Sequence, residues 1–163
     1  MLQLRALDTL GGGHRDMEIV TYVREGVLQH EDSSGGRGEI GPRNVQVITA
    51  GRGVRHCEYN DTNTCLRIFQ IWLLPSRRGL DPRWATKPLA DMQRPGAWSD
   101  DRNAQRIAYP LTSNRYAYLV PTRGRVMVND QQVAERDGIA IAGEPGIAIT
   151  AIEPAEIILV DTA

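Results

Sequence analysis

Residues 14–35, HRDMEIVTYVREGVLQHEDSSG, decide the fold. Met17 to Val23 is rich in β-branched and aromatic side chains, meets Glu25-Gly26, and resumes as VLQHED before Ser33-Ser34-Gly35-Gly36-Arg37-Gly38. Strand, glycine turn, strand and glycine–serine loop is β-hairpin grammar. The same grammar continues toward the C-terminus, while the glycine-rich residues up to His14 precede the first strand. Further strands are predicted at Asn44–Thr49, Val54–Tyr59 and Leu66–Leu74, the last (LRIFQIWLL) apolar enough to be buried. Strands return at Tyr116–Val120, Arg125–Val128, Gln132–Ala134, Gly138–Ala142, Ile147–Ala151 and Glu156–Val160. Turn signals at intervals of roughly eight to twelve residues belong to sandwiches and barrels, so the chain reads as all-β.

Between the two strand-rich halves the pattern fails. Pro75 to Pro110 holds Pro75, Pro82, Pro88, Pro95 and Pro110 among many charges. It reads as a linker, residues 76–115, with one helical turn near Pro88–Gln93, joining a domain of residues 1–75 to one of 116–163. The halves echo each other. Glu25-Gly26 before a strand is matched by Arg123-Gly124, and Ala50-Gly51 by Ala142-Gly143, as an internally duplicated barrel would produce.

Bulk properties exclude several functions. A net charge of −1, with the arginines scattered among carboxylates, leaves no clustered basic footprint for nucleic acid. No apolar run is long enough to span a bilayer, and no basic segment followed by an apolar core marks a signal peptide. Cys57 and Cys65 are too few for a disulfide framework and are expected as reduced thiols in a cytoplasmic protein.

The chemistry lies in the first half, because His14, His30, His56 and both cysteines precede residue 66. In AGRGVRHCEYN, residues 50–60, a strand over Val54–Tyr59 puts His56 and Glu58 on one face and Cys57 on the other. An H-x-E pair on a strand is also what a solvent-facing charge pair looks like. With His14 it becomes two histidines and a carboxylate, the facial set that suits Fe(II) and leaves positions open. His30 reads either as a substitute ligand or as an outward-facing or hydrogen-bonded structural residue, the second being the simpler. Glu18 is expected to stand behind His14, and Tyr59 and Asn60 to shape the turn.

HRDMEIVTYVREGVLQHEDSSG followed by VQVITAGRGVRHCEYN resembles the metal-binding signature of the pirin family of the cupin superfamily. The resemblance runs from His14 to about Arg83 and resumes from Ala117 to Asp161. It implies double-stranded β-helix (cupin) barrels arranged as a bicupin, with a metal in the first. The family's ligands are three histidines and a glutamate. Carried over, His14, His56 and Glu58 are three of them, while Gly12 stands where the family has its first histidine. The cofactor expected is therefore Fe(II) or another divalent transition metal, held by a weakened site. Relative to the family pattern the chain begins one or two strands late, and residues 92–116 are fewer. This implies an incomplete or remodelled second barrel and strand edges that a homo-oligomer would cover.

Some family members resemble quercetin 2,3-dioxygenases. The resemblance then implies a small aromatic, flavonol-like substrate, with Glu58 as both ligand and the base that takes its hydroxyl proton. Two other readings follow from the same resemblance. One is a non-catalytic, redox-responsive regulatory protein, with Arg52 and Arg55 as partner-facing charges. The other is a cupin scaffold that has lost its metal.

Overall fold

A computed structural model of the chain describes residues 2–4, 9–88, 106–112 and 114–163. The chain divides into two compact units, Met1–Gln93 and Arg94–Ala163. In the first, the strands are β1 (Leu2–Leu4), β2 (Thr9–His14), β3 (Glu18–Glu25), β4 (Leu28–Asp32), β5 (Arg37–Ile40), β6 (Asn44–Thr49), β7 (Val54–Tyr59), β8 (Leu66–Leu73) and β9 (Arg83–Pro88). In the second they are β10 (Arg106–Pro110), β11 (Tyr116–Arg123), β12 (Val126–Val128), β13 (Gln131–Val133), β14 (Ile139–Ala142), β15 (Gly146–Ala151) and β16 (Glu156–Thr162). Every described strand pair is antiparallel.

The first unit folds a sheet of order β1-β8-β3-β6-β9 over one of order β2-β7-β4-β5. The second has β14-β11-β16 and β10-β15-β12-β13. Strands β2 to β8 therefore correspond one for one with β10 to β16, each unit being the double-stranded β-helix expected. The second is remodelled in lacking, among the described residues, counterparts of the edge strands β1 and β9.

The duplication extends to single residues. Register shifts in β3 between Val23 and Glu25, and in β11 between Pro121 and Arg123. The glycine after each bulge has positive φ, 82° at Gly26 and 72° at Gly124. A Cβ on Gly26 would lie 2.7 Å from the Cys65 carbonyl oxygen, and one on Gly124 2.4 Å from that of Pro154. Each turn is pressed against the backbone leading into the last strand of the barrel, and only glycine fits there.

Two strands lie inside the stretch read as linker. β9 pairs along its whole length with β6, and β10 with β15. Proline and charge density hid them, but both are edge strands, where a missing N–H and solvent-facing charges are tolerated. Pro88 is the last residue of β9, and the rest of the expected helical turn lies outside the described residues. Residues 37–38, read as loop, begin β5. The glycine-rich TLGGGH, read as preceding the first strand, is β2, held by its ladder to β7.

Each unit has its own core. Leu111, Ala117, Leu119, Val126, Val128, Val133, Ile141, Ile147 and Ile149 form that of the second. In the first, Val23, Leu28, Ile40, Leu66 and Ile68 form one buried cluster, and Ile19, Ile48, Ala50 and Val54 another.

Candidate metal centre

Directly opposed residues on antiparallel strands share a face, so the registers place the inward side chains of the first barrel in rows. On one sheet, Ile68 and Val23 are opposed, then Gln70, Thr21 and Gln46, then Trp72, Ile19, Ile48 and Trp84. On the other, Leu28 opposes Ile40, His30 lies between Gly38 and Glu58, and His56 lies between Asp32 and Gly12. One end of the barrel is thus apolar. Above it is a polar layer, and above that a layer of aromatic and imidazole rings.

Glu58 is the centre of the polar layer, 1% exposed. One of its carboxylate oxygens accepts a hydrogen bond from Gln46 Nε2, the other from Gln70 Nε2 at 2.7 Å. Each glutamine is oriented from behind. Trp84 Nε1 donates to Gln46 Oε1 at 2.8 Å, and Trp72 Nε1 donates to Gln70 Oε1 at 3.0 Å. With each amide oxygen committed to an indole N–H, the NH₂ groups must face the carboxylate. Two tryptophan–glutamine pairs clamp Glu58 from either side.

His30, across β4 from Glu58, is also 1% exposed. Its ring stacks on Trp84, with centroids 5.1 Å apart and planes 4° from parallel. Trp84 can lie there because Gly38 is beneath it: a Cβ on Gly38 would fall 2.7 Å from the indole. His30 Nε2 meets Asp32 Oδ2 at 2.9 Å. Burial works against charge on Asp32, but hydrogen bonds from Ser34 Oγ, His30, and the Gly36 and Ser34 amides outweigh it and hold the carboxyl at about 2. An ionised Asp32 only accepts, so His30 donates from Nε2, and in the neutral ring the lone pair is then on Nδ1. That Nδ1 is buried without a hydrogen-bond partner, and so is His56 Nδ1. Burial also pushes the His56 pKa below the usual histidine range. Glu58 opposes this, and His14 and His30 reinforce it. His56 is accordingly neutral near pH 7, the form that ligates.

Donor atoms of His30, His56 and Glu58 all lie within 4.8 Å of one another. The His14 ring stands 4.9 Å from that of His56 and 4.9 Å from that of Trp72, edge-on to both. Of the residues expected from the sequence, His56, Glu58 and His14 thus share one end of one barrel. Gly12 opposes His56, and a Cβ there would lie 3.2 Å from His14 Nε2. His30 joins His56 and Glu58: it faces inward rather than outward, is hydrogen-bonded to Asp32, and is among the donors. The signal for it was the alternation of LQHED, which puts His30 on the face of buried Leu28. Glu18 is not behind His14. The bend after His14 resets the alternation, and Glu18 accepts from Thr49 Oγ1 at 2.7 Å on the other face of β3. Asn60 shapes the turn as expected, accepting from the Thr62 amide and donating to the Thr64 carbonyl. Arg52 is engaged in an ion pair with Asp81. Neither Cys57 nor Cys65 is in a disulfide.

The donor set fits a borderline divalent cation. It offers imidazole nitrogens and carboxylate oxygen, and two of the nitrogens are buried without partners. Glu58 is met by two neutral amides, so a buried carboxylate is hydrogen-bonded but not neutralised by them. The Asp32–His30 pair is the carboxylate–histidine arrangement that orients a ligating ring.

Residues 6–73 match the family model for pirin, and residues 100–162 the one described as the quercetinase C-terminal cupin domain. A pirin-like protein of Caulobacter vibrioides is 41% identical over 92% of this chain and 75% of its own length. The quercetin 2,3-dioxygenase of Escherichia coli K12 is 31% identical over 91% of this chain and 73% of its own. The crystal structure of YhhW from Escherichia coli superposes with a TM-score of 0.89, at 26% identity, covering 99% of this chain and 78% of that one. The same bacterial pirin in complex with nickel(II) gives 0.84 at 28% identity, covering 98% and 78%. With its two β-helix units, its buried histidine–carboxylate cluster and relatives matched along most of its length, this chain belongs to the pirin family of cupins.

Proposed function

We propose that the first barrel is a metal-dependent oxygenase site of the quercetin 2,3-dioxygenase type, acting on a flavonol-like aromatic. The observation that carries this is the convergence of His30, His56 and Glu58 donors within 4.8 Å, with His14 alongside. His56, Glu58 and His14 are the ligands expected from the family pattern, and His30 adds a further imidazole donor beside His56 and Glu58. A divalent metal held there would act as Lewis acid and as template for the substrate's oxygens.

The chain's own residues supply the rest. Glu58, an acceptor while ionised, has lone pairs left after its two glutamine bonds and is the group assigned to take the acidic hydroxyl proton. Gln46 and Gln70 keep it from turning away. The apolar end formed by Leu28, Ile40, Leu66 and Ile68 closes one side to water.

The test is metal content after exposure to Fe(II), Mn(II), Ni(II) and Zn(II), with His56→Ala alongside, followed by oxygen uptake with quercetin. Stoichiometric metal lost in His56→Ala, with quercetin-dependent uptake by the wild type, is expected. Metal binding without uptake would leave a metal-binding regulatory protein, and no binding at micromolar metal would leave a bare scaffold.

A further inference from the structure

The inward face of β8 runs Leu66, Ile68, Gln70, Trp72, and its exposure changes sharply along that line. Leu66 and Ile68 are 0% exposed, whereas Trp72 is 54% exposed. Trp72 therefore marks the open end of the barrel, with the half-buried His14 edge-on to it. Leu74, two residues further, is 83% exposed. An indole left more than half in water is unfavourable, and this one is not loose: its N–H is held by Gln70 and its ring abuts His14. A rigid, exposed aromatic surface beside buried polar donors is how a pocket receives a flat apolar ligand and fixes its orientation. The hydrogen-bond chain adds a second consequence. Trp72 Nε1 fixes Gln70, and Gln70 Nε2 fixes Glu58, so the exposed ring is two hydrogen bonds from the carboxylate.

From this we infer that Trp72 is the residue on which the planar aromatic part of the substrate stacks, and that Gln70 is a positioning residue through which Trp72 sets the direction of Glu58. The inference rests on the oxygenase reading and deepens it. Trp84, the matching member of the other clamp, is spent on His30; Trp72 is the member turned to the ligand.

Two variants separate the two parts. Trp72→Ala removes the ring, and Trp72→Phe keeps a ring but removes the N–H. Ni(II) binding is read first on all three proteins, because Trp72 helps to orient the ligand Glu58, and each protein is then brought to full Ni(II) occupancy. Quercetin is then titrated calorimetrically into the Ni(II)-loaded proteins without oxygen. The Kd is expected to rise about tenfold in Trp72→Ala and to stay within about threefold in Trp72→Phe, as loss of an aromatic stacking contact predicts. In aerobic turnover, Trp72→Phe is expected to keep its KM but lose about fivefold in kcat, the effect of one hydrogen bond. An unchanged Kd in Trp72→Ala overturns the stacking role while the oxygenase reading stands. An unchanged kcat in Trp72→Phe overturns the positioning role alone. Wild-type protein that binds Ni(II) but neither binds nor consumes quercetin overturns the oxygenase reading and this inference together.

Discussion

Glu58→Gln is a nearly isosteric change with a large expected effect, because of what surrounds it. Gln46 and Gln70 both donate to residue 58, and their oxygens are already taken by Trp84 and Trp72. A glutamine at 58 has one acceptor oxygen and one NH₂, so one buried donor would face another donor. Chemical denaturation of metal-free protein should show a loss of about 1–3 kcal/mol, the cost of an unsatisfied buried group, together with loss of metal binding. Acid should unfold the metal-free protein in an order set by two residues. The pKa of His56 is lower in the folded chain than its ordinary 6.5, so folding favours the neutral ring. Its contribution is complete above pH 6.5 and declines as pH falls below that value. Asp32 is depressed from 3.8 to about 2, so its contribution is complete above 3.8 and is lost as pH falls through about 2. That shift corresponds to about 2 kcal/mol. Stability measured against pH should show the first decline in wild type and Asp32→Asn but not in His56→Ala. The lower decline should be absent from Asp32→Asn.

At the scale of elements, the equivalent turns after β3 and β11 make a paired prediction. Gly26→Ala and Gly124→Ala each force a Cβ into a positive-φ residue and against backbone of the approaching strand, which cannot swing aside as a side chain could. Each should cost upwards of about 2 kcal/mol in thermal or urea unfolding. Gly143→Ala, also at positive φ but with open space around it, should cost less, about 1 kcal/mol. Equal losses at all three would mean that φ alone matters and that the two bulged corners are not equivalent packing sites. The strands missed in reading the chain, β1, β2, β5, β9 and β10, all lie at sheet edges. An edge strand is defined by its partner's ladder more than by its own composition. Glycine, proline and lysine in TLGGGH and RWATKP therefore hid them.

For the whole molecule, the separate cores of the two units localise the effect of a metal. Ligand that binds only the folded state stabilises by about 2.7 kcal/mol at a hundredfold excess over Kd. Hydrogen exchange with and without Ni(II) should slow amides in β2, β4 and β7, which carry His14, His30, His56 and Glu58. Residues 114–163 hold no histidine or cysteine and should exchange as before. Slowing spread equally over both halves would contradict a site confined to the first barrel.

Local pattern alone was enough for an all-β chain in two halves, for the strands Asn44–Thr49 and Val54–Tyr59 to the residue, and for His56 and Glu58 on one face. Period-two alternation and turn glycines are properties of neighbouring residues, and neighbours are what a sequence displays. His14 joins His56 and Glu58 as the histidine beside a strand, and the likeness to pirins makes it a ligand. Only the tertiary structure decided that His30 faces Glu58 and that Glu18 faces elsewhere. Tertiary contact also built the clamp, in which Gln46, Gln70, Trp72 and Trp84, from three strands, meet one carboxylate. Those relations are set by strand register across sequence separations that no local spacing encodes, and by a bend after His14 that resets which face each side chain takes.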